Sequence, residues 1–396
     1  MAHYSIPQHF NKVTIDLKAL GHNFKLLQDH FPQRPLMGVV KGDAYGHGLV
    51  ECAKTLVNFG CKHFGVLDVF EGVKLREAGI KHEDIYILGG VDSYSHIPAI
   101  VSNKLNLFVY DFELLEALTA QSRGHWSRVK VFLKVDTGMG RLGLNLWEAE
   151  AFFKEAKNRP FLEVMGLATH LPTVGDLLAL KQLDFFERFC LLAEKIFEKK
   201  LVNTALSGGG LLAHPDYLDG LSRPGLVLYG VPPQLSNPQE DLEFSRLSLR
   251  RENVKQTISE ISEKLKKVMT FSSQLLQVKY LRSGQTVSYD RTFVAPERMR
   301  VGIVPVGYVH GLHVNRSDKV EVLIRGNRVR QIGRICMNLS VYDLSSVSDV
   351  RPGEEVVFLG DQLNDSLDAF QDFKGERQSP YEVLCLYGKL NNRVYV

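Results

Sequence analysis

Between residues 36 and 230, short apolar runs recur with amphipathic stretches between them, and this alternation limits the possible folds more than any other feature. The runs are "LMGVV" (36–40), "HFGVL" (63–67), "IYIL" (85–88), "LFVY" (107–110), "VKVFLKV" (129–135), "VMGLAT" (164–169), "NTALS" (203–207) and "GLVLYG" (225–230). Most are too apolar for a sheet with one wet face and read as parallel strands covered on both sides. The spacers carry helix signals. "DFELLEALTAQS" opens on an aspartate N-cap and repeats apolar residues three and four apart, and "DLLALKQLDFFERFCLLAEKIFEKK" sustains that spacing into a lysine-rich end. Eight strands alternating with helices predict an α/β fold, an N-terminal TIM-like (β/α)8 barrel. An open doubly wound sheet shares the same alternation.

After Gly230 the texture changes. A polar, charged stretch with one short helix near 252–264 reads as a linker or surface insertion over 234–262. Beyond it, "QLLQVKYL", "RMRVGIVPVGYV", "KVEVLIRGNRVRQIG", "LSVYDLS" and "EEVVFLG" are separated by Gly, Asn and Asp turns and predict a mostly β C-terminal domain. The early "KVTIDL" is either one of its strands or a lead-in to the first barrel helix. The expected division is 13–245 for the barrel and 246–396, with 1–12, for the β domain. Two domains also suit 396 residues, because a single core stops growing at roughly 250–300.

A formal charge of +3 spread along the chain argues against nucleic acid as a partner. No apolar stretch reaches the ~18–20 residues of a membrane span, and "MAHYSIPQHF" lacks the features of a signal peptide, so a cytoplasmic location is expected. Cys52, Cys61, Cys190, Cys336 and Cys385 are scattered with no C-x-x-C pair, which suits reduced thiols and no metal site.

Chemistry is most concentrated in "PLMGVVKGDAYGHG" (35–48), where Lys41 ends an apolar strand and Gly42, Gly46 and Gly48 follow. At the C-terminal end of a barrel strand, an apolar surround lowers a lysine pKa and leaves an amine able to condense with an aldehyde. Alternatively, the lysine stem covers apolar surface while its head reaches water.

"VVKGDAYGHG" resembles the signature around the pyridoxal-phosphate lysine of alanine racemases. "FGVLDVFEGVKLREAGI", "VDTGMGRLG", "GLATH", "RPGLVLYG", "TVSYDRTFVA", "GRICMN" and "PYEVLC" match that family in order. The resemblance implies a (β/α)8 barrel followed by a β domain, pyridoxal 5'-phosphate as cofactor, and a homodimer with shared active sites that interconverts L- and D-alanine for peptidoglycan. It assigns Lys41 as the cofactor lysine and one proton-transfer base, and Tyr289 of the partner's β domain as the opposite base. Inversion at Cα requires bases on opposite faces. His170 would neighbour Tyr289, and Arg223 would face the pyridine nitrogen. Arg141 would meet the cofactor phenolic oxygen and lie near the substrate carboxylate, with Lys134 a possible N-carboxylysine beside it. The phosphate would sit on Tyr45, Tyr381 and the backbone at Gly225 and Leu226, while Tyr308 and Met337 line the substrate side.

The chain departs from the family pattern at three places. Gly208 stands where a phosphate-binding serine is usual, and His310 and Asn338 stand where aspartates are usual. These departures leave a broad-specificity racemase, accepting serine or longer side chains, as an alternative. A decarboxylase of the same fold would favour an acidic residue in place of Arg223. A non-catalytic pyridoxal-phosphate binding protein would lack the β domain that carries Tyr289.

Overall fold

The computed structural model describes residues 10–122, 128–217, 220–235, 248–370, 372–373, 376–377 and 379–396. Part of the polar stretch expected as an insertion, residues 236–247, lies outside them. The chain divides into two compact units, one of Met1–Leu17, Tyr45–Gly48 and Lys267–Val396, the other of Lys18–Ala44 and Leu49–Lys266. Strand β1 (Lys12–Ile15) belongs to the first, hereafter the β unit.

The second unit is built on six parallel strands in sequential order: β2 (Met37–Val39), β3 (His63–Val66), β4 (Asp84–Ile87), β5 (Leu105–Val109), β6 (Val129–Lys134) and β7 (Leu162–Ala168). Helices separate them, as the spacers predict. Asp68 and Asp176 cap Val69–Glu77 and Leu177–Phe197 by accepting from the amides of Glu71 and Ala179. One face of the sheet buries Met37, Tyr86, Phe108, Phe132 and Ala168 together with Leu221. In β3 the corresponding space belongs to Gly65, where a Cβ would lie 2.8 Å from Leu88 and 3.0 Å from Met37. The side chains of Leu88 and Met37 therefore fill the space above this glycine.

The last two staves of the barrel are not regular strands. Thr204 N–H donates to Leu167, Arg223 N–H to Leu206, and the amides of Met37 and Val39 to Ser222 and Pro224, so isolated bridges carry the ladder from β7 back to β2. The run 225–230, expected as the eighth strand, is instead a 3-10 turn, Leu226–Tyr229. Pro224 has no N–H to give a ladder, and Gly230 ends the turn at φ 81°. The stave shifts upstream to 221–224. Tyr229 stays buried and donates to the Val39 carbonyl at 3.0 Å.

In the β unit, β1 lies between β8 (Met269–Gln274), which runs antiparallel to it, and the parallel strand Asn392–Tyr395. The same sheet continues through Glu355–Gln362 to the hairpin Glu321–Ile324 and Asn327–Arg330. A second, three-stranded sheet holds β9 (Gln277–Leu281), Met299–Val304 and Ser340–Asp343. Phe271, Phe358 and Tyr387 stack at centroid spacings of 5.1 and 4.7 Å and tie the helix Pro380–Leu390 to the larger sheet. No helix among the described residues is long and apolar enough to cross a membrane.

Candidate active site

Lys41 stands one residue beyond β2, after Val40, and the backbone then does something rare. Gly42, Asp43, Ala44 and Tyr45 all take left-handed conformations, with φ of 67°, 59°, 55° and 54°. The Ala44 amide donates to Val40 at 2.7 Å, so the segment begins as a single left-handed turn. For L residues such a turn costs about 1–2 kcal/mol each, and it persists only where its surroundings hold it. Here Glu71 supplies the hold. Its Oε1 accepts from the Asp43 amide and its Oε2 from the Leu67 amide, both at 2.8 Å, while Asp43 Oδ1 accepts from the Leu49 amide at 2.9 Å.

Around Lys41 the strand ends gather cations. Burial, then Arg141, then Arg223 lower the Lys41 pKa, and Glu71 alone among the acting charges raises it. Lys134, the last residue of β6, is pushed down to about 8 by burial and by Arg223, Arg141 and Lys41. His170, just beyond β7, is pushed down to about 3 by burial and the same cations. Arg223 is buried and tightly held. Its Nη2 donates to the carbonyls of Thr169 at 2.6 Å and Ala205 at 3.2 Å, and its Nη1 donates to Thr204 Oγ1. It also reaches His170 Nδ1 at 3.4 Å. That nitrogen therefore accepts, and the neutral imidazole carries its proton on Nε2. Arg141 ends a loop that Asp136 organises, since Asp136 Oδ1 accepts from the amides of Gly138, Met139 and Gly140 at 2.9, 2.8 and 3.2 Å.

Gly208, Gly225 and Leu226 lie in the same unit. Ser207 caps the short helix Gly208–Ala213 through the Gly210 amide. A Cβ on Gly208 would meet Val227 Cγ1 at 2.6 Å, so valine occupies the room a serine side chain would need.

Tyr45, Tyr289, Tyr308, Met337 and Tyr381 belong to the β unit. Tyr45 and Tyr381 stack at 5.7 Å, and burial pushes both phenols up, so they are hydrogen-bond donors at neutral pH. Tyr289 is 68 % exposed. Its neighbours fix its loop: Ser288 Oγ donates to the Arg334 carbonyl, and Asp290 pairs with Arg334. The amides of Tyr308 and Val309 donate to Cys336 and Met337 at 3.1 and 3.2 Å. Tyr289, Tyr308, Met337 and the adjoining Asn338 are thus carried on loops that all meet the 334–338 segment. His310 Nδ1 accepts from the Gly307 amide at 3.1 Å, closing the turn that displays Tyr308.

Glu71 and Asp136 were not among the residues singled out by sequence. The signal for the first is Asp68-x-x-Glu71, a capping-box spacing inside "DVFEGVKLREAGI". For the second it is an aspartate before Thr-Gly-Met-Gly, a loop whose glycines leave several amides for one carboxylate to collect.

Comparison with known proteins gives a consistent result. Residues 15–233 match the model of the alanine racemase N-terminal domain, and residues 268–395 match that of the C-terminal domain. An alanine racemase of Nostoc sp. is 34% identical, over 94% of this chain and 92% of its own. One of Thermodesulfovibrio yellowstonii is 31% identical over 98% of both. The structure of the alanine racemase of Streptomyces coelicolor superposes with a TM-score of 0.84 at 28% identity, covering 98% of each chain. That of Bartonella henselae, solved with covalently bound pyridoxal phosphate, has a similar fold, with a TM-score of 0.82 at 23% identity over 98% of this chain and 100% of its own.

Proposed function

The chain belongs to the alanine racemase family, and from that premise we propose that it interconverts L- and D-alanine with pyridoxal 5'-phosphate. The observation that carries this reading is Lys41, an amine at a strand end whose pKa is lowered by burial and by Arg141 and Arg223. The residues fit the cofactor. Lys41, Lys134, Arg141 and Arg223 act on one another with only Glu71 and Asp136 as opposing charges in those interactions, and a dianionic phosphate with a phenolic oxygen supplies what such a cluster lacks. A lysine that gives up its proton readily is also the amine that a pyridoxal aldehyde requires.

When bound, pyridoxal phosphate supplies the electron sink that lets a substrate Cα lose its proton. Lys41 holds it and moves the Cα proton on one face. The partner's Tyr289 moves it on the other, so that a proton removed from one side returns from the opposite side. Arg223 stays charged throughout, since a guanidinium keeps its proton above pH ~12. Arg223, placed toward the pyridine nitrogen, would offer it no proton and so would keep the electron sink weak, favouring prompt return of the proton to Cα over side reactions. His170, neutral and fixed by Arg223, orients the far base. Arg141 holds the substrate carboxylate, and Tyr45, Tyr381 and the amides at Gly225 and Leu226 hold the phosphate, without the serine hydroxyl that Gly208 omits. Tyr308 and Met337 bound the substrate side.

Lys134 is read as carbamylated. Its amine, pushed down to about 8, attacks the carbon of CO2; the N–C bond forms as one C=O π pair moves onto oxygen, and the extra amine proton leaves to solvent. A cation facing Arg141 becomes an anion, which removes a costly like-charge pair. Carbon-13 bicarbonate should give a carbamate resonance that Lys134→Ala abolishes. The protein is further read as a cytoplasmic homodimer supplying D-alanine for peptidoglycan.

The test of the reaction is deuterium uptake at Cα in D2O, followed by NMR with chiral analysis over a panel of single L-amino acids. Exchange with loss of optical purity for alanine alone supports the reading. Activity spread over serine and longer side chains would make the departures at Gly208, His310 and Asn338 a widened specificity. No exchange with any amino acid would remove the proposal.

A further inference from the structure

A one-turn left-handed segment directly after the cofactor lysine raises the question of what fixes it. Gly42 relieves only the first position, since Asp43, Ala44 and Tyr45 carry Cβ atoms and still sit at positive φ. Asp43 Oδ1 ties the turn forward to the Leu49 amide. The tie to the neighbouring βα loop is Glu71. It is the third residue of the helix Val69–Glu77, and its carboxylate spans the amides of Asp43 and Leu67 with one oxygen each. A residue serving only as a helix cap would turn back to its own N-terminus; this one reaches 28 residues up the chain, to the second residue after Lys41.

We infer that Glu71 is a positioning residue for the reaction, whose carboxylate both clamps the left-handed turn so that the Lys41 amine keeps its direction and supplies a negative charge to the cation cluster around it. The inference rests on the reading of Lys41 as the cofactor lysine. The charged groups acting on Lys41 come from three places, Arg141 from the loop after β6, Arg223 from the last stave and Glu71 from its helix, while Lys41 in turn acts on Lys134 at the end of β6 and on His170 beside Arg223. Arg141, Arg223 and Lys134 are permanent or potential cations and His170 is neutral. Glu71 is the one negative charge among those acting on Lys41, while Asp136 opposes the cluster at Lys134.

Two variants separate clamp from charge. Glu71→Gln removes the charge and one of the two acceptors. Glu71→Asp keeps the charge but is too short to span both amides. The readout is reductive trapping of pyridoxal phosphate on Lys41 by cyanoborohydride in cofactor-free full-length protein, followed against pH by mass spectrometry. Amide exchange at Asp43 and steady-state kinetics accompany it. With Glu71→Gln the lysine loses its proton more easily, so the trapping midpoint should fall by about 0.3–1 pH unit. Exchange at Asp43 should quicken about tenfold, and kcat should drop at least ~10-fold while KM changes by less. Glu71→Asp should show the faster exchange and lower kcat with an unmoved midpoint. If Glu71→Gln does not fold, the exchange and kcat of Glu71→Asp decide.

A lowered melting temperature with unchanged midpoint, exchange at Asp43 and kcat would reduce Glu71 to a helix cap and overturn the inference. Failure to trap the cofactor on Lys41 of the unsubstituted protein would instead overturn the functional reading on which it rests.

Discussion

His170 carries a proton in the unfolded chain below about pH 6.5 but resists one in the folded protein until about pH 3, because it is buried among Arg223, Arg141, Lys134 and Lys41. Between those values the unfolded state binds more protons, so stability rises with pH and is lost as pH falls through that window. His170→Gln should flatten this dependence: its urea midpoint should change less between pH 4.5 and 7 than that of the unsubstituted protein. An equal slope would mean that other groups set the acid limit. At this scale the residues legible in the sequence are those that bear their charge in the side chain. Lys41, Arg141, His170 and Arg223 stand in recognisable motifs and are gathered in one unit. Glu71 and Asp136 act through amides of other segments, and no single-residue signal announces a backbone partner.

The strands show the same division between readable and unreadable. Their hydrophobic runs place β2 to β7 correctly, because burial on both faces demands continuous apolar sequence. "GLVLYG" is equally apolar, yet it folds as a 3-10 turn, since Pro224 and Gly230 set its limits more firmly than hydrophobicity does. The opposite ends of these strands explain a second polar group. Asp84 at the start of β4 accepts from Lys130 at 3.1 Å and Asn106 at 3.2 Å, with His63 at 3.6 Å. These residues occupy the N-terminal ends, away from the ends that carry Lys41 and Lys134, where a barrel invests in stability. Those partners hold the Asp84 carboxyl well below its usual range despite burial. Its stabilisation is therefore present above pH ~4 and fades as acid protonates it. Asp84→Asn should cost about 1–3 kcal/mol in denaturant unfolding at pH 7 and leave kcat/KM within about twofold. A large loss of activity without loss of stability would contradict that separation. Gly166→Ala is the packing counterpart. Its Cβ would fall 1.9 Å from the Val202 carbonyl oxygen, so β7 and the seventh stave must part, and thermal unfolding should show a loss of about 2–4 kcal/mol.

For the whole molecule, the proposed exchange of Tyr289 between subunits has a direct consequence. Lys41→Ala and Tyr289→Phe should each be nearly inactive. Mixed after joint unfolding and refolding, they should recover about a quarter of the native sites, since half the dimers are hybrid and each hybrid holds one intact pair. No recovery would place both bases in one chain. The boundary between units was only partly legible: composition separates barrel from β domain, but nothing in "AYGHG" marks Tyr45–Gly48 as belonging to the β unit, because that assignment depends on packing rather than pattern. The larger sheet of that unit has a further consequence. Residue 12 pairs with residue 392 on one side and with residue 272 on the other. During synthesis, every stave of the barrel has left the ribosome by residue 224, so that unit can close early, while β1 waits with both edges open until strands at 269–274 and 392–395 emerge. A nascent chain stalled before residue 392 should therefore carry a protected barrel and a β1 strand still paired on one side only.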